Sequence, residues 1–308
     1  MKVIFMGTPE FAVPCLERLI TDGHDVMLAV TQADKPKGRG YTLTPPPVKL
    51  CALSHGIPVY QPATFKNNPE ALEKLASCGA DVAIVVAYGR ILPQAALDIP
   101  RYGCINVHAS LLPKYRGAAP IQWAVLHGET ESGVTTMQMD AGLDTGDMLL
   151  TRRCAIPPEM TAGELHDLLS REGAEALSDT LKALEAGTLK PVKQEGESCY
   201  APMLSRELSV MDWECPAQAL HNQVRGLNPW PSASTRLGGK ILKVHRSRVG
   251  ESTKAIPGTV VKHNPFTVAC GGGTTLELLE VQAEGGKRMA GADFLRGRPV
   301  EIGRVLPD

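Results

Sequence analysis

The sequence predicts an α/β fold. A Rossmann-like, mostly parallel sheet with helices on both faces precedes a small C-terminal β domain, which is a barrel or a sandwich with an OB-like barrel among the candidates. In the first half, nearly continuous apolar segments alternate with helix-like segments, and such strands are typical of parallel sheets buried on both faces. In the last third, short β-like runs are separated by Gly, Pro and Asn, as in small barrels and sandwiches. The length of 308 residues exceeds the usual size of one core and favours two domains.

The elements of the first half follow from their hydrophobic pattern. The segments that predict strands are KVIFMG (2–7), DVMLAVTQ (25–32), IPVYQP (57–62), DVAIVVAYG (81–89), GCINVHAS (103–110) and SGVTTMQM (132–139). The segments that predict intervening helices are CLERLITDG (15–23), NPEALEKLASCG (68–79) and IQWAVLHG (121–128). Their alternation predicts strand–helix–strand units that build one parallel sheet.

A long helical pattern at 161–187 predicts one or two further helices. Thr161 and Glu164 at its start have the three-residue spacing of a capping box. After Gly187 the chain becomes mixed polar without periodicity, which is typical of a linker. We therefore predict an N-terminal domain at 1–189, a linker at 190–206 and a C-terminal domain at 207–308.

Composition excludes several classes of protein. Hydrophobic residues make up 43% and charged residues 21% of the chain, as in a folded globular protein and not a disordered one. No apolar run approaches the roughly 20 residues of a membrane helix, and the N-terminus lacks the pattern of a signal peptide. The eight cysteines are scattered without a CxxC pair or a close Cys/His cluster, which predicts reduced thiols in a cytoplasm and argues against structural zinc.

Positive charge is concentrated towards the C-terminus. Residues 206–308 hold 14 Lys and Arg against 10 Asp and Glu, whereas the rest of the chain holds 18 against 23. This asymmetry indicates a polyanionic partner. In the C-terminal run RLGGKILKVHRSR (236–248), a basic face on barrel strands would include Lys240, Lys243, Arg246 and Arg248. The alternative is that these are ordinary solvated side chains.

A second basic segment interrupts the α/β pattern at 31–49. This polar insertion contains Lys35, Lys37 and Arg39. Long insertions without secondary structure inside compact domains are usually functional or disordered. A nucleic-acid contact and a plain solvated loop are the two interpretations.

Polar side chains gather at the end of the strand GCINVHAS. Asn106 and His108 are two residues apart, so their side chains leave the same face of the strand. Ligands of open parallel sheets bind beyond the carboxyl ends of the strands, where two such donors can hold an oxygen that becomes negative during acyl transfer. Asp144, in the Gly-rich loop QMDAGLDTGD (138–147), is a candidate to orient His108. The alternative is a structural histidine and turn-forming Asn and Asp residues.

These motifs carry a resemblance to a known family. GCINVHASLLPKYRGAAPIQWA (103–124) and MQMDAGLDTGD (137–147) resemble the folate-dependent formyltransferases. GTPEFA (7–12), TQADKPKGRG (31–40) and NPWP (228–231) narrow the resemblance to the members that act on methionyl-tRNA, and it spans essentially the whole chain. From the residues alone, NPWP predicts a rigid turn with a buried tryptophan.

The resemblance implies a reaction. Such enzymes transfer the formyl group of 10-formyltetrahydrofolate to the α-amino group of methionine on initiator tRNA, for translation initiation. It implies that Asn106 and His108 stabilise the oxyanion and that Asp144 holds His108 and assists proton transfer. It also implies an N-terminal catalytic domain, a tRNA-binding C-terminal domain, no metal and a monomer.

The resemblance also assigns binding residues. Ser110, Leu111, Leu112 and Pro113 match the turn that contacts folate, Arg90, Ile91 and Leu92 in YGRILP (88–93) match the pterin-binding segment, and Asp140 is a further folate-binding candidate. Lys35, Lys37 and Arg39 match the loop that enters the tRNA acceptor stem. The sequence departs from family members that carry more lysines after this arginine, because Tyr41 and Thr42 stand there.

Three rival functions stay open from the sequence. A nicotinamide-dependent oxidoreductase is disfavoured, because GTPEFAV lacks the G-x-G-x-x-G turn. A non-catalytic RNA-binding protein leaves Asn106, His108 and Asp144 without a purpose. A formyltransferase acting on another amine, such as a nucleotide sugar or glycinamide ribonucleotide, would share the mechanism and differ in its acceptor.

Overall fold

The structure is a computed structural model that describes residues 1–37 and 42–308. Its strands are β1 (Lys2–Gly7), β2 (Asp25–Val30), β3 (Lys35–Lys37), β4 (Thr42–Thr44), β5 (Val59–Tyr60), β6 (Val82–Val86), β7 (Cys104–His108), β8 (Arg116–Gly117), β9 (Glu131–Gln138), β10 (Met148–Ala155), β11 (Tyr200–Ala201), β12 (Ala233–Leu237), β13 (Lys240–Val249), β14 (Val260–Lys262), β15 (Thr267–Cys270), β16 (Thr274–Ala283) and β17 (Arg288–Ala290). Its α-helices are α1 (Val13–Thr21), α2 (Pro47–Ser54), α3 (Pro69–Ala76), α4 (Gln94–Leu97), α5 (Pro120–Leu126), α6 (Ala162–Glu185), α7 (Ala217–Gly226) and α8 (Gly291–Gly297). Short 3₁₀ helices span Glu10–Ala12 and Arg206–Ser209.

The chain forms two compact units. The first consists of Met1–Gly117, Ser132–Cys154 and His166–Tyr200, and the second of Ala118–Glu131, Ala155–Leu165 and Ala201–Asp308. The domain boundaries at 1–189, 190–206 and 207–308 stay a prediction.

The first unit is built on a seven-stranded sheet with the order β10-β9-β7-β6-β1-β2-β5. The neighbouring pairs from β7 to β5 are parallel. Strand β9 runs antiparallel to β7 and places Thr135 opposite His108. The predicted mostly parallel sheet is therefore confirmed, with an antiparallel strand beside the one that carries the polar motif.

Apolar runs in the sequence become the buried centre of this sheet. Side chains of β1 from Val3 to Met6 and of β6 from Val82 to Val86 are buried, which is why these runs lack the alternation of a strand with one wet face. Burial also raises the pKa of the Cys15 and Cys104 thiols to about 12. These two cysteines are packing residues, because a thiol of that pKa stays protonated near neutral pH.

The insertion at 31–49 contains more regular structure than the sequence predicts. Strands β3 and β4 pair antiparallel, with Lys35 opposite Thr44 and Lys37 opposite Thr42, and α2 begins at Pro47. Proline at the first helical position is favourable because its missing N–H has no helical partner there. The expectation of a structureless insertion is wrong for the described residues on both sides of 38–41.

The second unit contains an antiparallel sheet with the order β12-β13-β16-β15-β14, and β17 pairs with β16. Its core packs Trp213, Leu220, Phe266 and Phe294 against the inner strand faces. An antiparallel C-terminal β domain is thus confirmed, and the OB-like barrel is consistent with this sheet. The expected burial of Trp230 is wrong, since its side chain is 53% exposed.

The long helical pattern forms the single helix α6, preceded by the predicted capping box. The Thr161 backbone N–H donates to Glu164 Oε2 at 2.8 Å, and the Glu164 N–H donates to Thr161 Oγ1 at 3.2 Å. Among the helices of residues 1–37 and 42–308, none is long and apolar enough to cross a membrane.

Candidate active site

Three predicted site residues meet at one edge of the first unit's sheet. Asn106 and His108 lie on β7, and Asp144 lies in the loop between β9 and β10. The Asn106 side chain is half-buried, whereas His108 is only 6% exposed. Strands β6 and β7 are parallel and end at the same edge of the sheet, which is where ligands of such sheets bind.

The Asp144 carboxylate connects the three side chains. Its Oδ1 accepts from Asn106 Nδ2 at 3.4 Å, and its Oδ2 accepts from the Gly117 backbone N–H at 2.8 Å. Oδ2 also lies 3.7 Å from His108 Nδ1, which is an ion-pair distance and longer than a hydrogen bond. One carboxylate therefore faces an amide, an imidazole and a backbone donor.

The tautomer of His108 follows from its other ring nitrogen. His108 Nε2 lies 2.9 Å from the Tyr115 carbonyl oxygen, and a carbonyl only accepts hydrogen bonds, so Nε2 carries a proton. Nδ1 is consequently the ring nitrogen on the Asp144 side. A second proton at Nδ1 would give an imidazolium whose charge the carboxylate balances.

The SLLP turn is fixed by the neighbouring strand. The buried Thr135 hydroxyl on β9 donates to the Ser110 carbonyl at 2.7 Å and accepts from the Leu112 N–H at 3.3 Å. Ser110 Oγ donates to the Lys114 carbonyl at 2.6 Å and thus serves the turn itself. Ser110 and Leu112 are buried, while Leu111 and Pro113 are half-buried, so the last two have apolar surface available to a ligand.

The YGRILP segment presents a different surface. Arg90 is exposed, Ile91 is 91% exposed and Leu92 is buried. Gln32 Nε2 donates to the Tyr88 carbonyl at 2.9 Å, which ties the segment to the chain after β2. The segment thus presents the exposed side chains of Arg90 and Ile91 to solvent, and its predicted pterin contact stays a prediction.

Asp140 has a local role in the 138–147 loop. Its Oδ1 accepts from the Gly142 N–H at 3.0 Å and from Thr145 Oγ1 at 2.7 Å. These bonds shape the turn before Asp144, as an Asx turn does. Asp140 is exposed, and its predicted folate contact stays a prediction.

Two contributors to this site, Gln194 and Thr135, were not predicted from the sequence. Gln194 binds the carbonyls of Asp144 and Gly146 and the Arg116 guanidinium, while Thr135 holds the SLLP turn. Gln194 lies inside the predicted linker, where no hydrophobic period or motif marks it. Thr135 lies in an apolar run, where a β-branched threonine indicates only a strand and does not reveal a role for its hydroxyl.

The predicted tRNA-contacting loop is described in part. Lys35 is exposed, and its Nζ donates to Gln32 Oε1 at 2.8 Å. Lys37 lies on β3, and Arg39 lies outside the described residues. Lys49 Nζ binds both carboxylate oxygens of Asp34 at 2.8 and 2.9 Å, so its charge is already balanced.

The predicted basic face on β13 is exposed. Lys240, Lys243, Arg246 and Arg248 all point to solvent, and a register shift at His245 returns Arg246 to the side of Lys243. Arg248 forms an ion pair with Glu277 at 2.6 Å, and Arg246 lies 3.4 Å from Glu164. No carboxylate lies within 4.0 Å of Lys240 or Lys243 Nζ in the described part of the chain, so these lysines carry the least compensated charge.

A search of residues 1–37 and 42–308 finds no group of three or more His, Cys, Asp and Glu side chains placed to hold a metal ion. The predicted absence of a metal from the reaction stays a prediction.

Comparison with known proteins defines the class. Residues 1–181 match the family described as formyl transferase, and residues 203–299 match the formyl transferase C-terminal domain. An N-formyltransferase from Helicobacter canadensis, solved with folinic acid and dTDP-3-aminofucose, shares the fold. Its TM-score is 0.71 at 18% identity, over 92% of this chain and 100% of that one. The fold and both family matches thus define a formyl transferase.

Near-full-length relatives narrow this class. The methionyl-tRNA formyltransferase of Acidobacterium capsulatum is 54% identical over 300 residues, which cover 96% of each chain. That of Trichlorobacter lovleyi is 50% identical over 308 residues, which cover 99% of this chain and 96% of the relative. The chain belongs to the methionyl-tRNA formyltransferase family, which confirms the resemblance seen in its motifs.

Proposed function

We propose that this protein transfers the formyl group of 10-formyltetrahydrofolate to the α-amino group of methionine on initiator tRNA. The observation that carries the proposal is the convergence of Asn106, His108 and Asp144 at the carboxyl edge of the sheet. Identity of about 50% to methionyl-tRNA formyltransferases over nearly the whole chain supports the acceptor.

The chemistry needs a neutral amine and a stabilised oxyanion. A free α-amino group has a pKa of roughly 7.7 to 8.0, so a useful fraction is unprotonated near neutrality. Its nitrogen bonds to the formyl carbon, the carbonyl electrons move to oxygen, and a tetrahedral oxyanion forms. The oxyanion then re-forms the C=O bond as the bond from that carbon to the folate nitrogen breaks, and the proton lost by the amine passes to this nitrogen.

Each of the three side chains has a role in these reaction steps. Asn106 Nδ2 donates to the oxyanion, and a protonated His108 donates through Nδ1, because its Nε2 is bound to the Tyr115 carbonyl. Asp144 balances the imidazolium and assists the proton transfer from the amine to folate. The attack needs no nucleophile from the protein, because the amine of the acceptor is itself the nucleophile.

The folate site is assigned to the two loops beside these residues. Ser110 to Pro113 and Arg90 to Leu92 supply the half-buried and exposed apolar surfaces described above, which suit a flat pterin ring. The neighbour from Helicobacter canadensis, solved with folinic acid, supports a folate donor of this type. Asp140 completes the proposed set.

The tRNA site is assigned to the two basic segments. Lys35, Lys37 and Arg39 would contact the acceptor stem, and Lys240, Lys243, Arg246 and Arg248 would follow the phosphate backbone. The C-terminal excess of Lys and Arg supports this assignment. We further propose that the protein is cytoplasmic and monomeric and that its reaction needs no metal ion.

One assay tests the proposed function. Radiolabelled formyl transfer from 10-formyltetrahydrofolate is measured with methionyl-tRNA, an amino-sugar nucleotide and glycinamide ribonucleotide as acceptors. We expect kcat/KM to be highest for methionyl-tRNA by several orders of magnitude. A higher value for either small amine would refute the acceptor and leave the mechanism standing, and no transfer to any acceptor would refute both.

A further inference from the structure

The segment at 192–200 runs along both loops of the candidate active site. Val192 exchanges two backbone hydrogen bonds of 2.8 Å with Met148, at the start of β10. At the other end, Cys199 accepts from the Arg116 N–H at 2.9 Å through its carbonyl and from the Tyr115 N–H at 3.1 Å through Sγ. The segment thus joins the loop that carries Asp144 to the loop whose Tyr115 carbonyl binds His108.

Gln194 lies between these two attachments and uses both ends of its amide. Its Nε2 donates to the Asp144 carbonyl at 2.9 Å and to the Gly146 carbonyl at 2.8 Å. Its Oε1 accepts from Arg116 Nε at 3.1 Å and Nη2 at 2.7 Å. A side-chain amide has two donor hydrogens and one acceptor oxygen, so all of them are engaged with active-site loops.

The Asp144 backbone needs such support. Its φ of +53° lies in the left-handed region, which residues other than glycine adopt uncommonly, although aspartate does so more often than most. Gly146 follows with its backbone so close to the Gln138 carbonyl that a Cβ would lie 1.8 Å from that oxygen. A loop strained in this way keeps its conformation only where its surroundings fix it, and the two carbonyl contacts of Gln194 do so.

The other end of Gln194 acts on the second loop. Arg116 precedes Gly117, whose N–H donates to Asp144 Oδ2 at 2.8 Å. By holding the Arg116 side chain, Gln194 also fixes the residue next to this donor. The carboxylate that faces Asn106 and His108 is therefore oriented from its own backbone and from the Gly117 side.

We propose that Gln194 is a positioning residue for formyl transfer, which fixes the Asp144 carboxylate against Asn106 and His108 without touching the reactants. The inference rests on the proposed function, because the orientation of Asp144 matters only if that carboxylate serves the reaction.

The first test is Gln194→Ala in the full chain, with the exposed neighbour change Glu195→Ala as the matched control. We expect kcat for methionyl-tRNA formylation to fall about 10- to 100-fold, since misplacing a catalytic group by about 1 Å costs this much. The KM values for folate and tRNA should stay within about threefold of the parent values, and Glu195→Ala should leave kcat unchanged. An unchanged kcat for Gln194→Ala overturns the proposal.

The decisive test is the double variant with Asp144→Asn. If Gln194 acts through the carboxylate, Gln194→Ala should lower kcat far less in the Asp144→Asn background than in the parent chain. An equal fold-loss in both backgrounds would mean a general structural role and overturn the proposal.

Two further variants and the parent enzyme complete the design. Gln194→Met keeps the length of the side chain, and Gln194→Glu keeps an acceptor for Arg116 but turns a carboxylate towards two carbonyls. Both should lose kcat as Gln194→Ala does, and parent-like kcat in either one overturns the proposal even if Gln194→Ala fails to fold. A parent enzyme inactive on methionyl-tRNA would instead refute the proposed function.

Discussion

His108 is hydrogen-bonded to the Tyr115 carbonyl through Nε2, and the Asp144 carboxylate lies 3.7 Å from its Nδ1. The His108 side chain is buried, and electrostatic interactions of a buried group are stronger than they are in water. Asn106 differs because it is half-buried and its amide is bound to Asp144 at the long distance of 3.4 Å. In the proposed reaction, this long bond would be exchanged for one to the oxyanion.

Loss of either donor should therefore slow the chemical step. We expect Asn106→Ala and His108→Ala to lower kcat by about 10²- to 10³-fold each, as removal of one oxyanion donor does, with folate affinity nearly unchanged. Single-turnover kinetics with methionyl-tRNA and a folate-binding titration measure the two quantities.

His55→Ala is the matched control for these variants. His55 is an exposed histidine before β5, which is an edge strand of the sheet and is separated from β7 by β6, β1 and β2. Its removal should leave kcat unchanged. Near-normal turnover of both the Asn106 and His108 variants would remove the oxyanion assignment.

The sequence predicted that the Asn106 and His108 side chains lie on the same face, because alternate residues of a strand always share a face. Gln194 was not predictable in this way. It lies 50 residues after Asp144 in a segment without periodicity, and only the folded chain brings its amide to the Asp144 and Gly146 carbonyls.

At the scale of elements, β9 supports the SLLP turn (110–113), which follows β7 along the chain. Thr135 satisfies one carbonyl and one N–H of the SLLP turn from a fully buried position. We expect Thr135→Val, which keeps the shape, to leave both groups unsatisfied and to destabilise the protein by about 1–3 kcal/mol. The KM for folate should rise as well, because the turn loses its fixed conformation.

Urea denaturation and steady-state kinetics check this prediction. Thr151→Val on β10 is the control, since Thr151 is exposed and its replacement should change neither quantity. If Thr135→Val is as stable as the parent protein and binds folate equally well, β9 does not support the turn.

The capping box of α6 gives a prediction about pH. The hydrogen bond from the Thr161 backbone N–H, more than any other interaction, holds the pKa of Glu164 below its ordinary value of 4.5. A lowered pKa in the folded state means that the carboxylate stabilises the fold above pH 4.5, and that this contribution is lost as the pH falls through the folded-state pKa.

Glu164→Gln keeps the acceptor of the capping box but loses the negative charge near the helix N-terminus. It should accordingly be less stable than the parent protein at pH 7, by about 0.5 kcal/mol. The difference should shrink as the pH falls below 4.5. Urea titrations from pH 7 downwards measure it, with the exposed Glu195→Gln as the control. A difference that is independent of pH would contradict the role assigned to the ionised carboxylate.

Strong hydrophobic runs made most elements of the first unit predictable, and the weaker ones were missed. Strand β10 (MLLTRRCA) was not predicted, because an edge strand with alternating exposure mixes polar and apolar residues. Helix α2 was not predicted, because it begins within a run of three prolines. The antiparallel direction of β9 could not be predicted either, since strand pairing is a tertiary property.

At the scale of the whole molecule, charge distinguishes the two parts of the chain. The C-terminal third is basic and the remainder acidic, which favours approach of a polyanion to the former. Within β13 the ion pair with Glu277 reduces the contribution of Arg248, whereas Lys243 faces no carboxylate within 4.0 Å among the described residues.

Salt dependence should separate these two cations. With tRNA as substrate, Lys243→Gln should lower the slope of log(kcat/KM) against log salt by about 1, as loss of one phosphate contact does. Arg248→Gln should change the slope much less. Measuring kcat/KM at KCl concentrations from about 50 to about 200 mM resolves the slopes. Equal slopes for both variants and the parent enzyme would argue against a tRNA contact on this face.

By itself the sequence determined the α/β class, the β-rich C-terminal part, the family and the spacing of Asn106 and His108. Each of these depends on local periodicity or on residues that are neighbours along the chain. Only the tertiary structure decided that Asp144 meets both side chains, that Thr135 and Gln194 hold the loops around them, and that Glu277 balances Arg248. Contacts between distant segments depend on how strands pair and loops close, and hydrophobic periodicity carries no information about the partner of a single polar side chain.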